Sequence, residues 1–128
     1  MTGPGGERIR VVVATQEDDD EADRAVTAVA RSLRDAGMEV VHAGRPSPEA
    51  LADTVVQEDA DAVGLPASGA EAPALLARLT ALLADRGVDD VVLFACGAGA
   101  DLPGPTRVFP PGGPAAEIAD WLRGRLGR

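Results

Sequence analysis

Apolar positions along the chain follow two periods. Short, near-continuous runs of Val, Ile, Leu and Ala fall at residues 8–14, 38–43, 61–65 and 90–94, with a shorter one at 106–109. Runs of this kind predict strands covered on both faces, as in a parallel sheet. Between them the apolar residues recur at helical spacing: Ala22, Val26, Val29, Leu33 and Ala36; then Leu51, Val55 and Val56; then Leu75, Leu76, Leu79, Leu82 and Leu83; then Ile118, Trp121, Leu122 and Leu126. Each set predicts an amphipathic helix, the first closing at Ala36-Gly37 and the others over 48–58, 71–86 and 115–126. The punctuation agrees. Gly37 and Gly87 stand where helix C-termini need a left-handed residue, and Ser47-Pro48 reads as an N-cap followed by proline at the first helical position. Arg123, Arg125 and Arg128 fall at the negative end of the last helix.

Strands alternating with helices predict an α/β fold: a flavodoxin-like (Rossmann-like) five-stranded parallel sheet of order 2-1-3-4-5, joined by right-handed crossovers, with helices on both faces. Residues 95–105 are rich in Gly, Ala and Pro and hold no periodic segment long enough for a helix, so the fourth crossover helix is expected to be lost. Ligands of such sheets sit outside the carboxyl ends of the strands, where the strand order reverses. That point lies between strands one and three, so the loops at 15–21 and 66–70 face each other and any small-molecule site belongs there.

Length and composition narrow the function. A chain of 128 residues makes one domain, read here as a flexible N-terminus at 1–7 and a single domain at 8–128. The formal charge of −9 argues against nucleic acid and against an anionic membrane surface, since both need a basic footprint. All twelve basic residues are Arg. Without Lys there is no P-loop for phosphates and no amine for a Schiff base. The single Cys forms no internal disulfide, no apolar run approaches the roughly 20 residues of a membrane span, and residues 1–6 lack a secretory apolar core. The expected location is the cytoplasm.

Three stretches carry a resemblance. The region 8–37, the run Asp35-Ala36-Gly37-Met38-Glu39-Val40-Val41 and the run Gln57-Glu58-Asp59-Ala60-Asp61-Ala62-Val63-Gly64-Leu65 resemble the cobalamin (vitamin B12)-binding domain of methylmalonyl-CoA mutase and the small subunits of related acyl-CoA mutases. The resemblance implies a pocket that holds the cofactor's nucleotide tail beside the first helix. It also implies an Asp-x-His-x-x-Gly motif whose His replaces cobalamin's own base on cobalt, oriented by the Asp. Here that motif reads Asp20-Glu21-Ala22-Asp23-Arg24-Ala25, so it is degenerate: the Asp is kept, while His and Gly are Ala22 and Ala25. The family's Ser-x-Leu after strand three reads Pro66-Ala67-Ser68, or Ser68-Gly69-Ala70 with a one-residue shift. Its Gly-Gly-Gly after strand four reads Ala95-Cys96-Gly97, and its Pro-Gly-Thr after strand five reads Pro111-Gly112-Gly113.

The resemblance therefore implies a cobalamin-binding-type domain that is not catalytic alone, because the cofactor supplies radical chemistry and a separate large barrel subunit holds the substrate. Asp20, Ala22, Asp23, Ala25, Ser68, Gly69, Gly97 and Gly112 become the expected cofactor-binding residues, with Asp20, Asp23, Ser68, Gly69, Gly97 and Gly112 lining the tail. Since Ala22 offers no lone pair, cobalamin is expected to keep its own base on cobalt or take an outside ligand. The alternative is a closed pocket, the chain serving as an interaction or regulatory module of the same fold.

Each chemical candidate also has a plain reading. Asp20 serves as a helix cap, and the acids at 17–21 form a solvated face. His42, the one His, is a partly exposed residue at a strand end, and Cys96 is a small buried thiol. No second Cys or His stands at metal spacing. The acidic loop argues against a flavin phosphate, and a response-regulator receiver needs an Asp ending strand three and a Lys ending strand five, neither of which is present. Nothing supplies base, nucleophile and oxyanion donors together, so no catalytic residue is assigned.

Overall fold

A computed structural model describes residues 8–14, 20–44, 46–66, 72–88, 90–96, 107–109 and 116–127. In chain order the elements are β1 (Arg10–Val13), α1 (Asp20–Asp35), β2 (Glu39–His42), α2 (Pro48–Glu58), β3 (Ala62–Pro66), α3 (Ala72–Asp85), β4 (Val92–Cys96), β5 (Arg107–Phe109) and α4 (Ala116–Leu126). The strands form one sheet of order β2-β1-β3-β4-β5, and every neighbouring pair is parallel. The fold read from the sequence is thus the fold observed.

Side chains alternate across the sheet and so define two apolar layers. Val11, Val13, Ala62, Phe94, Cys96 and Phe109 face α1 and α4, where they meet Val26, Ala30, Leu33, Ile118 and Leu122. Val12, Ala14, Val63 and Leu65 face α2 and α3, against Leu51, Val55, Leu76, Leu79 and Leu83. Crossovers of one hand explain the division. The chain moves outward from β1 to β2 through α1, then back past β1 to β3 through α2, so the two helices must lie on opposite faces.

Local chemistry sets the ends. The Ser47 hydroxyl accepts from the Ala50 N–H at 3.1 Å, with Pro48 opening α2. That helix closes on Asp59, a non-glycine residue in the left-handed region at φ 52°, whose N–H bonds back to the Val56 carbonyl. α1 closes on Gly37 at φ 91°, where the Met38 N–H reaches the Leu33 carbonyl at 3.0 Å. At the amino edge the Arg10 guanidinium lies 2.7 Å from the Glu39 carboxylate, and the Arg10 backbone N–H donates to Asp61 at 2.9 Å. Arg123 donates to the Ala36 carbonyl at 2.6 Å, tying the end of α4 to the end of α1.

Three details differ from the sequence reading. α1 begins at Asp20, so Asp20 and Glu21 belong to its first turn and not to the loop before it. β4 ends at Cys96 and not at Phe94, because its ladder with β3 runs from Ala62↔Val92 to Pro66↔Cys96; Cys96 is a strand residue. In α2 the buried stripe is Leu51, Ala52 and Val55, while Val56 is turned outward and is 47% exposed. The expectation for residues 1–7 and, from residue 97 onwards, that for a missing helix at 95–105 lie outside the described residues. No helix among the described residues is long and apolar enough to cross a membrane.

Among the described glycines, Gly64 is the one against which another side chain packs. Its register partner on β4 is Phe94, whose ring lies across the glycine: a Cβ built at residue 64 would come within 2.6 Å of the ring. Phe94 is wholly buried, with ring centroids of Phe109 and Trp121 at 6.1 and 6.3 Å in edge-to-face contact. Two neighbouring rings and full burial thus oppose its displacement. Gly64→Ala is therefore expected to destabilise the fold by about 1–3 kcal/mol through overpacking. Phe94→Leu should relieve much of that cost in the double variant, giving a coupling energy that urea denaturation of the four proteins measures directly.

Candidate functional site

The carboxyl edge is built where the strand order reverses. β1 and β3 lie side by side there, with Val13 in register with Gly64 and the Ala14 N–H donating to the Gly64 carbonyl at 3.1 Å. α1 starts from this edge, so Asp20, Ala22, Asp23 and Ala25 occupy its first two turns; their side chains lie outside the described part of the structure. Ser68, Gly69, Gly97 and Gly112 also lie outside the described residues, as do the loops at 15–19 and 67–71.

What the described residues bring together is an apolar layer between the sheet and α1/α4. Phe94, Cys96 and Phe109 contribute from β4 and β5, Val13 from β1, Val26 from α1 and Trp121 from α4. Phe109 and Trp121 complete the aromatic triad at 5.4 Å, and the Arg107 guanidinium sits 5.0 Å from the centre of the Phe109 ring. Val13, Val26, Phe94, Cys96 and Phe109 are all buried.

This layer tests the cofactor that the resemblance implies. A nucleotide tail inserted beside the first helix needs an apolar slot, and a run of glycine leaves room for it. Here Cys96 stands at one of the family's glycine positions, and its side chain is packed into the α1/α4 layer beside Phe94. Among the described residues this layer is filled by the protein's own side chains. Gly64, Phe94, Phe109 and Trp121 were not singled out as site residues from the sequence. The available signal was a glycine inside a strand, which marks close approach of a neighbour.

His42 is exposed at the end of β2, beside Val13 in the ladder. Among the described residues no three His, Cys, Asp or Glu side chains are grouped to hold a metal ion. Burial alone pushes the Cys96 thiol up from 9.0 to about 12. The neutral thiol is the form the fold favours, so its contribution is complete below about pH 9 and is lost as pH rises towards 12. At pH 8 the folded protein should hold about a thousandfold less thiolate than the unfolded chain. Alkylation by iodoacetamide should be correspondingly slow until urea is added; equal rates with and without urea would contradict the buried placement.

No family model matches the chain. It is 38% identical over 79 residues to the small subunit of 2-hydroxyisobutanoyl-CoA mutase from Aquincola tertiaricarbonis, a match spanning 61% of this chain and 58% of that protein. The chain therefore spans little more than half the length of the curated relative it matches. Its fold is similar to that of a cobalamin-binding protein from Desulfitobacterium hafniense DCB-2, with TM-score 0.61 and 21% identity over 94% of this chain and 51% of the other. The receiver domain of NarL from Mycobacterium tuberculosis superposes with TM-score 0.64 at 19% identity, covering 95% and 99% of the two chains. The CheY-like protein TadZ from Pseudomonas aeruginosa PAO1 gives 0.64 at 23%, covering 91% and 98%. At these identities the structural neighbours establish the fold alone; the sequence similarity, over 79 residues, is to the small subunit of that one mutase.

Proposed function

We propose that this chain is a cobalamin-carrying domain of the mutase small-subunit type, not catalytic by itself, which takes the cofactor at its carboxyl edge with the cofactor's own base kept on cobalt. The observation that carries the reading is the 38% identity to a mutase small subunit. Two features support the mode of binding. Residue 22 is an alanine with no lone pair for cobalt, and the layer that a displaced tail would enter is filled by Phe94, Cys96, Phe109 and Trp121. A cofactor that retains its own base asks for neither.

On this reading Asp20 and Asp23 at the start of α1, together with Ser68, Gly69, Gly97 and Gly112 in the loops after the strands, border the cofactor. The cofactor supplies the radical chemistry when bound. The protein's part is to hold it at one face and present the other to a larger barrel subunit that carries the acyl-CoA substrate. The buried layer also supports a second reading, in which the pocket has closed for good and the domain serves as an interaction or regulatory module.

Titration with hydroxocobalamin and adenosylcobalamin, followed by visible absorbance and calorimetry together, separates the two. Saturable binding with a spectrum in which the base stays on cobalt is the expected result. Absence of binding into the high-micromolar range would remove the cofactor reading and leave the interaction module.

A further inference from the structure

We infer that one stripe of α1 is a docking surface for a second copy of this chain: two α1 helices pack antiparallel across a two-fold axis at Thr27, with Asp20 and Asp23 of each copy opposite Arg34 and Arg31 of the other. The inference goes beyond the proposed function and does not depend on it.

Helical geometry puts these five residues on one side. At about 100° per residue, positions 20, 23, 27, 31 and 34 of α1 fall within about 40° of one line along the helix. Read from the amino end, that line carries acid, acid, threonine, base, base. The spacing is symmetric as well. Asp20 and Arg34 each stand seven residues from Thr27, and Asp23 and Arg31 each stand four from it. Turning the helix end for end about Thr27 therefore lays acidic positions on basic positions at both ends, the self-complementary pattern that an isologous two-fold contact needs. The helix dipole favours acids at the start and bases at the end of any helix. It makes no demand that they share one stripe or stand at equal distances from its centre.

The stripe is free to take a partner. Thr27, Arg31 and Arg34 are exposed, and neither arginine makes an ion pair among the described residues. Elsewhere Arg78 is paired with Glu49, Arg86 with Asp53 and Arg123 with Asp120. The other helix on this face, α4, sits over β4 and β5, where Trp121 meets Phe94 and Phe109. In the order β2-β1-β3-β4-β5 that is the β3 side of α1, so among the described elements no helix covers its β2 side. A right-handed helix descending from the carboxyl edge with Val26, Ala30 and Leu33 against the sheet turns the stripe to that free side. Thr27 at the axis is small, which lets two helix backbones come close. Among the described residues α1 exposes no large apolar side chain, so the contact is electrostatic, modest in strength and sensitive to salt.

Sedimentation velocity of the full chain tests this, over about 20 to 500 µM and in about 50 mM and 500 mM NaCl. The 13.0 kDa chain should pass to twice that mass as its concentration rises at low salt, and the dissociation constant should weaken by about tenfold or more at high salt. Arg31→Glu/Arg34→Glu and Asp20→Arg/Asp23→Arg each set like charges opposite one another, and each alone should remain monomeric. Mixed together they should form a heterodimer, because every acid of one variant again meets an arginine of the other. A purely structural role for these residues would not produce that rescue. Circular dichroism checks that each variant is folded. If either reversed variant is not, Arg31→Gln/Arg34→Gln and Asp20→Asn/Asp23→Asn carry the comparison, each weakening the dimer by about tenfold and flattening its salt dependence. Wild type that stays monomeric throughout, folded variants that dimerise as wild type does, reversed variants that fail to pair when mixed, or growth beyond the dimer would each overturn the inference.

Discussion

The ring of Phe94 over the bare backbone of Gly64 is the contact on which the α1/α4 side of this molecule is organised. It fixes the register of β3 against β4, since a shift by one residue would turn the ring to the other face and leave a recess in the sheet. It also locates the next layer. Phe109 on β5 and Trp121 on α4 pack against the ring at their edges, so the short outermost strand and the last helix are aligned by one aromatic cluster. A three-residue strand contributes few ladder bonds, and this packing supplies what the ladder cannot.

The two ends of the sheet are held differently. At the amino edge Arg10 gathers Glu39, the Glu58 carbonyl and Asp61, and Arg123 reaches across to the Ala36 carbonyl. Such half-exposed pairs add modestly to stability, but they join β1, β2, α2, α1 and α4 at one end. At the carboxyl edge the described strands end in Val13, His42, Pro66, Cys96 and Phe109, and no ion pair among the described residues joins them. That arrangement leaves the carboxyl edge to the loops, as is usual where an α/β domain meets its ligand.

The fold was legible because its signals are local and redundant. Valine runs, helical spacing and the stops at Gly37 and Gly87 each point to the same elements, and the strand order follows from the hand of the crossovers. Boundaries were less legible for physical reasons. Strand β4 extends to Cys96 because β3 offers it partners as far as Pro66, which is a property of the pair and not of the Val-Leu-Phe run. Val56 reads as core beside Val55, yet one residue is 100° of helix and turns it to solvent. The site was legible only in part. Asp20, Ala22, Asp23 and Ala25 could be read against a motif, whereas Phe94 and Gly64 lie some thirty positions apart in sequence and carry no motif at all; only strand pairing makes them neighbours.

The shared fold of cobalamin-binding and receiver proteins shows that the scaffold does not choose the chemistry. The residues at the carboxyl edge and in the layer beneath it do. In the described part of this chain the layer between the sheet and α1/α4 is closed by Phe94, Phe109 and Trp121 packed edge to face. Ring contacts of that geometry add to the burial of the rings, so the residues that align β5 with α4 are also the ones that close the layer. What this edge can hold is therefore decided by side chains that the fold itself needs, and by the loops above them.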